Sequence, residues 1–263
     1  MDLLFLGTGA PDWYKARDFI RHKTALLINE DLLIDPGPDV PAMMRAFGAD
    51  FSKVRWILVS HSHGDHYDPQ TLTFFPDAAV CGADTFGTVD PVPPHFTQLD
   101  AGKAVQIGPY RVLPVPANHY GLRTALHFSI RDASGKSFFY GHDGVWFTAE
   151  EFALLCADCK KEGPFDGMSF DSTTNGMGAN GETAFFDRFE EDEVGKLELM
   201  SHNNAAMTIA LRDVCRDVGI AGTDTVCFCN HLAWHGYPDM ETAQKVFEPR
   251  GFTVPYDGFR MTI

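Results

Sequence analysis

The sequence predicts a layered α/β domain, mainly because of the order of its strand and helix signals. Short apolar runs in the first third are separated by turn residues, which is typical of strands. Helix-like stretches then alternate with further strands, as expected where helices cover a sheet. With 44% hydrophobic and 22% charged residues, the 263-residue chain has an ordinary globular composition. We expect residues 1–263 to form a single domain.

The predicted elements follow the chain in order. Strands are expected at Leu3–Leu6, Thr24–Ile28, Leu32–Ile34, Trp56–Val59, Ala79–Cys81, Ala104–Ile107, Arg111–Val115, Ala125–Ile130, Ser137–Tyr140, Gly167–Phe170 and Thr225–Cys229. Helices are expected at Val40–Phe47, Ala149–Leu155, Asn203–Val218 and Met240–Phe247. Asn203 or Asn204 is the expected cap of the third helix, and Asp239 that of the fourth.

The charge limits the partners that the chain can bind. A formal net charge of −15 repels a polyanion, and no Lys/Arg stripe offsets it, so nucleic acid is not expected as a partner. A small anionic molecule can still bind where a metal pair dominates the local field. No apolar run approaches the roughly 18 residues of a membrane span, and the first residues do not resemble a signal peptide. We therefore expect a cytoplasmic protein without a membrane partner, and a homodimer remains open.

The segment Ser60-His61-Ser62-His63-Gly64-Asp65-His66 carries the strongest chemical signal. Imidazole nitrogen and carboxylate oxygen are the ligands that zinc and similar divalent ions prefer. The run directly follows the predicted strand Trp56–Val59, at a strand end where functional groups tend to gather. A His-rich surface loop is the alternative, but three histidines in six positions are improbable when the whole chain has only 11.

Three further strand ends repeat this placement. His119, Asp143 and His231 each follow a predicted strand. A single histidine after a strand is usually an ordinary loop residue, but three such ends together with the clustered run change that interpretation. Together they supply enough ligands for two metals that share a bridging carboxylate.

The H-x-H-x-D-H run, followed by a later His, then Asp, then His, resembles the metallo-β-lactamase superfamily. Gly7-Thr8-Gly9 and Asp35-Pro36-Gly37 resemble the early turns of that family. The resemblance implies a four-layer αββα sandwich. It also implies ligand roles: His61, His63 and His119 for one metal, Asp65, His66 and His231 for the other, and Asp143 as the bridge. His142 has no ligand counterpart in the family, so we interpret it as a supporting or structural residue.

The ligands narrow the branch of the family. The β-lactamases usually have Cys where Asp143 stands and lack the pair formed by Asp65 and His66. The flavodiiron reductases have Glu at the position of His63 and carry a flavin domain. The glyoxalase II and lactonase branches share the full ligand set and remain open.

The surroundings of the ligands look closer to the phosphodiesterase branch, which includes the tRNA 3′-processing endonuclease and the cyclic-phosphate phosphodiesterase of the carbon–phosphorus lyase pathway. The matching segments are Phe170-Asp171-Ser172-Thr173, Ser201-His202-Asn203 and Asn230-His231. In that branch a histidine at the position of His202 assists phosphate chemistry. The chain lacks the N-terminal cysteine cluster of one relative and the basic arm of the other, so neither substrate carries over.

The expected function is therefore dinuclear hydrolysis of a small phosphodiester or cyclic phosphate by a metal-bridging hydroxide. The two divalent ions are expected to be Zn²⁺, with Mn²⁺ or Fe²⁺ as alternatives. Asp65 and His202 are the predicted catalytic residues, and His235, Ser172 and Thr173 are predicted substrate contacts. Hydrolysis of lactones or thioesters, as in glyoxalase II, is the main alternative. A non-catalytic metal-binding protein is another.

Overall fold

The computed structural model describes residues 1–11, 21–83, 95–119, 124–175, 202–234 and 236–263, and its strands form two sheets. In chain order the strands are β1 (Asp2–Gly7), β2 (Ala25–Ile28), β3 (Leu32–Ile34), β4 (Trp56–Val59), β5 (Ala79–Gly82), β6 (Phe96–Gln98), β7 (Val105–Ile107), β8 (Tyr110–Pro116), β9 (Leu126–Arg131), β10 (Ser137–Gly141), β11 (Phe165–Asp171), β12 (Ala221–Asn230), β13 (Phe252–Thr253) and β14 (Arg260–Thr262). The α-helices are α1 (Val40–Ala46), α2 (Pro69–Leu72), α3 (Ala149–Glu162), α4 (Ala205–Asp217) and α5 (Met240–Phe247), and short 3₁₀ turns lie at Phe51–Lys53 and Glu248–Arg250.

Among the described residues each sheet has seven strands, and each sheet combines a run of parallel strands with a run of antiparallel strands. The spatial order is β14-β1-β2-β3-β4-β5-β6 in the first sheet and β13-β12-β11-β10-β9-β8-β7 in the second. Strands β3 to β6 are parallel, as are β10 to β13, while the remaining neighbours are antiparallel. Each sheet thus has a parallel half whose strands end at one edge.

The side chains of each strand alternate between two cores, which produces four layers. In β1, Leu3 and Phe5 lie in the core between the sheets, whereas Leu4 lies in the core that α1 covers. On the outer face of the second sheet, residues such as Met168 pack with Leu211 and other residues of the covering helices. This arrangement is the αββα sandwich that the resemblance implied.

The helices begin and end where local chemistry requires it. The Asn204 side chain accepts a hydrogen bond from the Met207 amide at 2.9 Å, and Asp239 accepts one from the Thr242 amide at 2.7 Å. Both predicted caps are confirmed. Of the two candidates for α4, Asn204 and not Asn203 caps the helix. Helix α3 runs past the predicted end at Leu155 to Glu162, and Gly163 ends it with φ of +89°.

Several short elements carry no usable sequence signal. Strands β6, β13 and β14 have two or three residues each and include half-buried or exposed positions. Helix α2 has four residues. Unlike β3, which is equally short but fully apolar, these segments show neither an apolar run nor an alternation, so only pairing with a neighbour defines them. In the described part of the chain, no helix is both long enough and apolar enough to cross a membrane.

The parallel halves bring the predicted functional loops together. The turn at Asp35, which follows β3, lies beside the loop after β4, because β3 and β4 are parallel. In the second sheet β10, β11 and β12 are parallel, and β8 runs in the same direction because both it and β10 are antiparallel to β9. The loops after β8, β10, β11 and β12 therefore meet at one edge.

Gly37 holds the turn after β3 against the backbone of the loop after β4. A Cβ atom on Gly37 would lie 2.3 Å from the Asp65 carbonyl oxygen, a contact that neither backbone can accept without moving. By contrast, a Cβ on Gly64 meets nothing within 4 Å. The glycine that the close approach requires is therefore Gly37, whereas Gly64 stands in open space.

We predict that Gly37→Ala destabilises the metal-free protein by about 1–3 kcal/mol, since overpacking forces backbone shifts. Gly64→Ala, the matched control in the neighbouring loop, should stay within about 0.5 kcal/mol of wild type. Urea unfolding followed by circular dichroism measures both. Equal midpoints for the two variants would contradict the proposed contact.

Candidate metal centre

Seven imidazole and carboxylate side chains converge where the strand ends of the two sheets meet. The first sheet supplies His61, His63, Asp65 and His66, and the second supplies His119, Asp143 and His231. They form two groups that share Asp143, and within each group the candidate ligand atoms lie within 4.8 Å of one another. The structure thus gathers every predicted metal ligand at one place.

The first group consists of three imidazoles and one carboxylate oxygen. His63 Nδ1 lies 3.1 Å from His61 Nε2 and 3.0 Å from His119 Nε2. Asp143 Oδ2 lies 3.2 Å from His61 Nε2 and 3.7 Å from His119 Nε2. Ligands about 2.0–2.1 Å from a tetrahedral zinc ion are roughly 3.3 Å apart, so these four atoms have the spacing of a coordination shell.

The second group consists of two imidazoles and two carboxylates. His66 Nε2 lies 3.2 Å from Asp65 Oδ2 and 3.3 Å from His231 Nε2. Asp143 again joins the group, with Oδ2 3.3 Å from His66 Nε2 and Oδ1 2.9 Å from His231 Nε2. Because Asp143 is close to imidazoles of both groups, its carboxylate would be shared by two ions if both groups held one.

Two buried oxygen atoms of these groups support the assignment to a metal. Asp65 Oδ2 and Asp143 Oδ1 have no hydrogen-bond partner among the described residues. Imidazole nitrogens lie 2.9–3.5 Å from these oxygens, at ion-pair distance. Buried carboxylates surrounded by imidazoles need positive charge among them, which divalent cations supply, so this donor set fits a metal site.

The imidazoles of His63 and His119 in the first group are neutral at physiological pH. Burial, together with the neighbouring imidazoles, lowers the pKa of His63 to about 4. Burial lowers the pKa of His119 to about 3. A neutral imidazole has a lone pair free for a metal, so neither ring needs to lose a proton before it can bind one.

The carboxylates of the second group hold protons on the imidazoles opposite them. Burial alone would raise the pKa values of Asp65 and Asp143, but the neighbouring imidazoles hold both well below the usual range. Burial opposes the charged form of His231, yet Asp143 and Asp65 raise its pKa to about 10. The pKa of His66 is raised well above its usual value in the same way. These protons occupy the place that a divalent ion would take.

Asp35 orients two of the ligands, His61 and His66, through the ring nitrogen that faces away from the cluster. Its fully buried carboxylate accepts hydrogen bonds from the Ser60 amide at 2.8 Å, the Ser60 hydroxyl at 2.9 Å and His66 Nδ1 at 2.7 Å. Since the Ser60 hydroxyl donates to Asp35, it accepts from His61 Nδ1, which lies 2.9 Å away. Both rings therefore carry a proton on Nδ1 and present Nε2 to the cluster, as metal-ligating histidines require.

His202 lies at the edge of the second group. Its ring stacks on His231 with centroids 5.1 Å apart, and its Nδ1 lies 3.9 Å from Asp143 Oδ1. Nδ1 is also 2.9 Å from Asp171 Oδ2. Burial lowers the pKa of His202, but Asp171 and Asp143 outweigh burial and raise it. The structure thus brings this predicted catalytic residue beside the second ligand group, with its side chain 15% exposed.

The remaining predicted residues are engaged elsewhere or lie outside the described chain. Thr173 Oγ1 lies 2.8 Å from His231 Nδ1, and the Ser172 hydroxyl is buried 3.2 Å from Thr208 Oγ1. Both hydroxyls have partners within the protein, and their contact with substrate stays a prediction. His235 falls outside the described residues. His142 donates or accepts through Nε2 at the Ser169 hydroxyl, 2.7 Å away, and belongs to neither ligand group.

Comparison with known proteins identifies the family. The model described as Beta-lactamase superfamily domain matches residues 30–173, more than half of the chain, so the chain belongs to this family. The family has the metallo-β-lactamase fold, and its members are mostly metal-dependent hydrolases. No curated protein matches the chain.

Solved structures show the same fold at low identity. The metallo-β-lactamase fold protein YhfI from Bacillus subtilis is 16% identical with a TM-score of 0.64, over 99% of this chain and 98% of that one. Human tRNase Z, short form, is 15% identical with a TM-score of 0.66, over 100% and 99% of the two chains. Igni18, a metallo hydrolase from Ignicoccus hospitalis, is 12% identical with a TM-score of 0.57, over 100% and 99%.

We predict that the chain binds two divalent ions and releases protons as it does so at neutral pH. With a pKa of about 10, metal-free His231 is protonated at pH 7 and must lose its proton to the solvent. The apparent affinity should therefore rise with pH up to about 10, whereas His63 and His119 release nothing at pH 7.

Elemental analysis counts the ions, and calorimetry in buffers of different ionisation enthalpy counts the protons. Asp143→Ala should lose both ions, because this carboxylate serves both groups. Saturation at one ion per chain, or binding without proton release at pH 7, would contradict the assignment.

Proposed function

We propose that the chain is a two-metal phosphodiesterase that acts on a small phosphodiester or cyclic phosphate. The observation that carries this proposal is His202, an additional imidazole placed beside the second ligand group and belonging to no predicted ligand set. Hydrolysis of a carboxylic ester or lactone needs the metal pair. A phosphodiester has, in addition, a further anionic oxygen and an alkoxide leaving group. An imidazole such as that of His202 can contact this oxygen or protonate the leaving group.

Each group of the site would have its own role in the hydrolysis. Divalent ions, when bound, supply Lewis-acid activation of a water and of the phosphoryl group. Asp65 is ionised and, besides serving as a ligand of the second ion, would manage a proton of that water. His202 has its Nδ1 held by Asp171, which leaves Nε2 to contact a phosphoryl oxygen or to protonate the leaving group.

The donor set favours zinc. Five imidazoles and two carboxylates make up the two groups, and imidazole-rich sites suit zinc better than magnesium or calcium. Manganese and iron remain outcomes of the metal analysis. All six cysteines are free, which supports the proposal of a reducing, cytoplasmic compartment.

The substrate is proposed to be small and anionic. The likeness to human tRNase Z supports phosphodiester chemistry, but the net charge of −15 disfavours a tRNA substrate. Affinity for a nucleic acid comes largely from Lys/Arg contacts to phosphates, and the sequence shows no basic arm that would supply them.

A panel of model substrates tests the reaction class. The metal-loaded protein should hydrolyse bis-p-nitrophenyl phosphate and a nucleoside 2′,3′-cyclic phosphate faster than a homoserine lactone or a glutathione thioester. A precursor tRNA should remain intact at physiological salt. Faster turnover of the lactone or thioester would replace the proposal with the alternative hydrolase, and inactivity on every class would favour a non-catalytic metal-binding protein.

The His202→Ala variant should keep the fold and both metals and lose about 10²–10⁴-fold in phosphodiester turnover, the usual contribution of a positioned acid or base. Asn204→Ala is the matched control, because Asn204 caps the same helix and its loss should cost about 1 kcal/mol of stability. Its turnover should be near wild type. Normal turnover in His202→Ala would remove the main argument for phosphodiesters.

A further inference from the structure

Asp171, the last residue of β11, is a buried carboxylate with donors on both oxygens. Oδ1 accepts from the Thr173 amide at 3.0 Å, the Thr173 hydroxyl at 2.9 Å and the Asn203 amide at 3.1 Å. Oδ2 accepts from the Asp143 amide at 3.1 Å and from His202 Nδ1 at 2.9 Å. Asp171 thus connects three loops of the site through one side chain.

Asp171 differs from the carboxylates that lack donors. Asp143, Asp171, His202 and His231 form a third group whose ligand atoms lie within 4.8 Å of one another. However, both Asp171 oxygens are already satisfied, whereas Asp65 Oδ2 and Asp143 Oδ1 are not. A carboxylate that already accepts five hydrogen bonds does not need a cation to compensate for its burial. We therefore infer that Asp171 positions its neighbours.

We propose that Asp171 is a positioning residue that fixes the tautomer of His231 and the placement of the bridging Asp143. This inference rests on the proposed two-metal site. The Thr173 hydroxyl has one proton and gives it to Asp171, which can only accept. It must therefore accept from His231 Nδ1, 2.8 Å away, and this leaves the His231 Nε2 lone pair for the metal.

The backbone of the site needs such a connection. Asp143 and His231 have φ values of +57° and +59°, in the left-handed region that side chains other than glycine rarely adopt. Residues held in this region persist where surrounding contacts over-determine them. Asp171 contacts the Asp143 amide directly and His231 through Thr173, so it restrains both strained residues from one point.

The chemistry of the substitution makes the proposal testable. An asparagine amide accepts hydrogen bonds on its oxygen only, so in Asp171→Asn the amide nitrogen must face either the Thr173 side or the Asp143 and His202 side. We expect a 10–100-fold weaker affinity for one of the two ions, the usual effect of losing such a supporting partner. The visible spectrum of the cobalt-substituted protein should change, since the coordination of that ion changes.

Asp166→Asn is the matched control at the other end of the same strand. Asp166 also accepts from a backbone amide and a hydroxyl, both of Ser137 at 2.9 Å, but its loop bears no predicted ligand. This variant should bind zinc as the wild type does in competition with a chromophoric chelator. Wild-type zinc affinity and an unchanged cobalt spectrum in Asp171→Asn would overturn the proposal.

If Asp171→Asn does not fold, as judged by circular dichroism, Thr173→Val decides the question. Valine keeps the shape of threonine but removes the link between Asp171 and His231. Weakened binding of one ion supports the proposal, and wild-type binding of both overturns it. Because these measurements use metal binding, they give the same answer whether or not the protein hydrolyses phosphodiesters.

Discussion

The arrangement of the candidate metal centre depends on the free-energy cost of burying charged carboxylates. Asp65 and Asp143 lie at 7% and 2% exposure, and their pKa values are held low enough that both are charged. Charge in a protein interior must be balanced, either by protons on imidazoles or by cations. The fold places histidines of low pKa on one side of Asp143 and histidines of high pKa on the other. Burial dominates at His63 and His119, whereas Asp143 and Asp65 together outweigh burial at His66 and His231.

Each sheet contributes one supporting carboxylate to this arrangement. Asp35 follows β3 of the first sheet, and Asp171 ends β11 of the second. Asp35 contacts one histidine directly and a second through a serine hydroxyl, while Asp171 contacts one directly and a second through a threonine hydroxyl. A hydroxyl that donates to a carboxylate must accept from the imidazole, so both aspartates set ring tautomers by the same logic. The two supports explain how His61, His66 and His231, from distant parts of the chain, direct Nε2 to one place.

The sequence was informative where chemistry is concentrated over a few residues. The run from His61 to His66 is local, and the strand before it is apolar enough to be recognised, so its place at a strand end could be predicted. His119, Asp143 and His231 followed from the same reasoning about strand ends. Asp35 could be recognised only as a turn residue, because its contact with His66 joins positions 31 residues apart. The supporting role of Asp171 was missed for the same reason, since it depends on which loops of parallel strands become neighbours.

Metal binding in this protein would also join the two sheets. The four ligands of the H-x-H-x-D-H run belong to the first sheet, while His119, Asp143 and His231 belong to the second. Each ligand group combines residues of both sheets, so an ion in either group would cross-link the sandwich at its edge. A ligand that binds only the folded state stabilises it, by about 2.7 kcal/mol at a concentration 100 times its dissociation constant. The core between the sheets is apolar and extensive, with Phe5, Phe128 and Phe228 fully buried. Asp143 and His231 have positive φ values at this edge, so an ion bound there would also restrain their conformation.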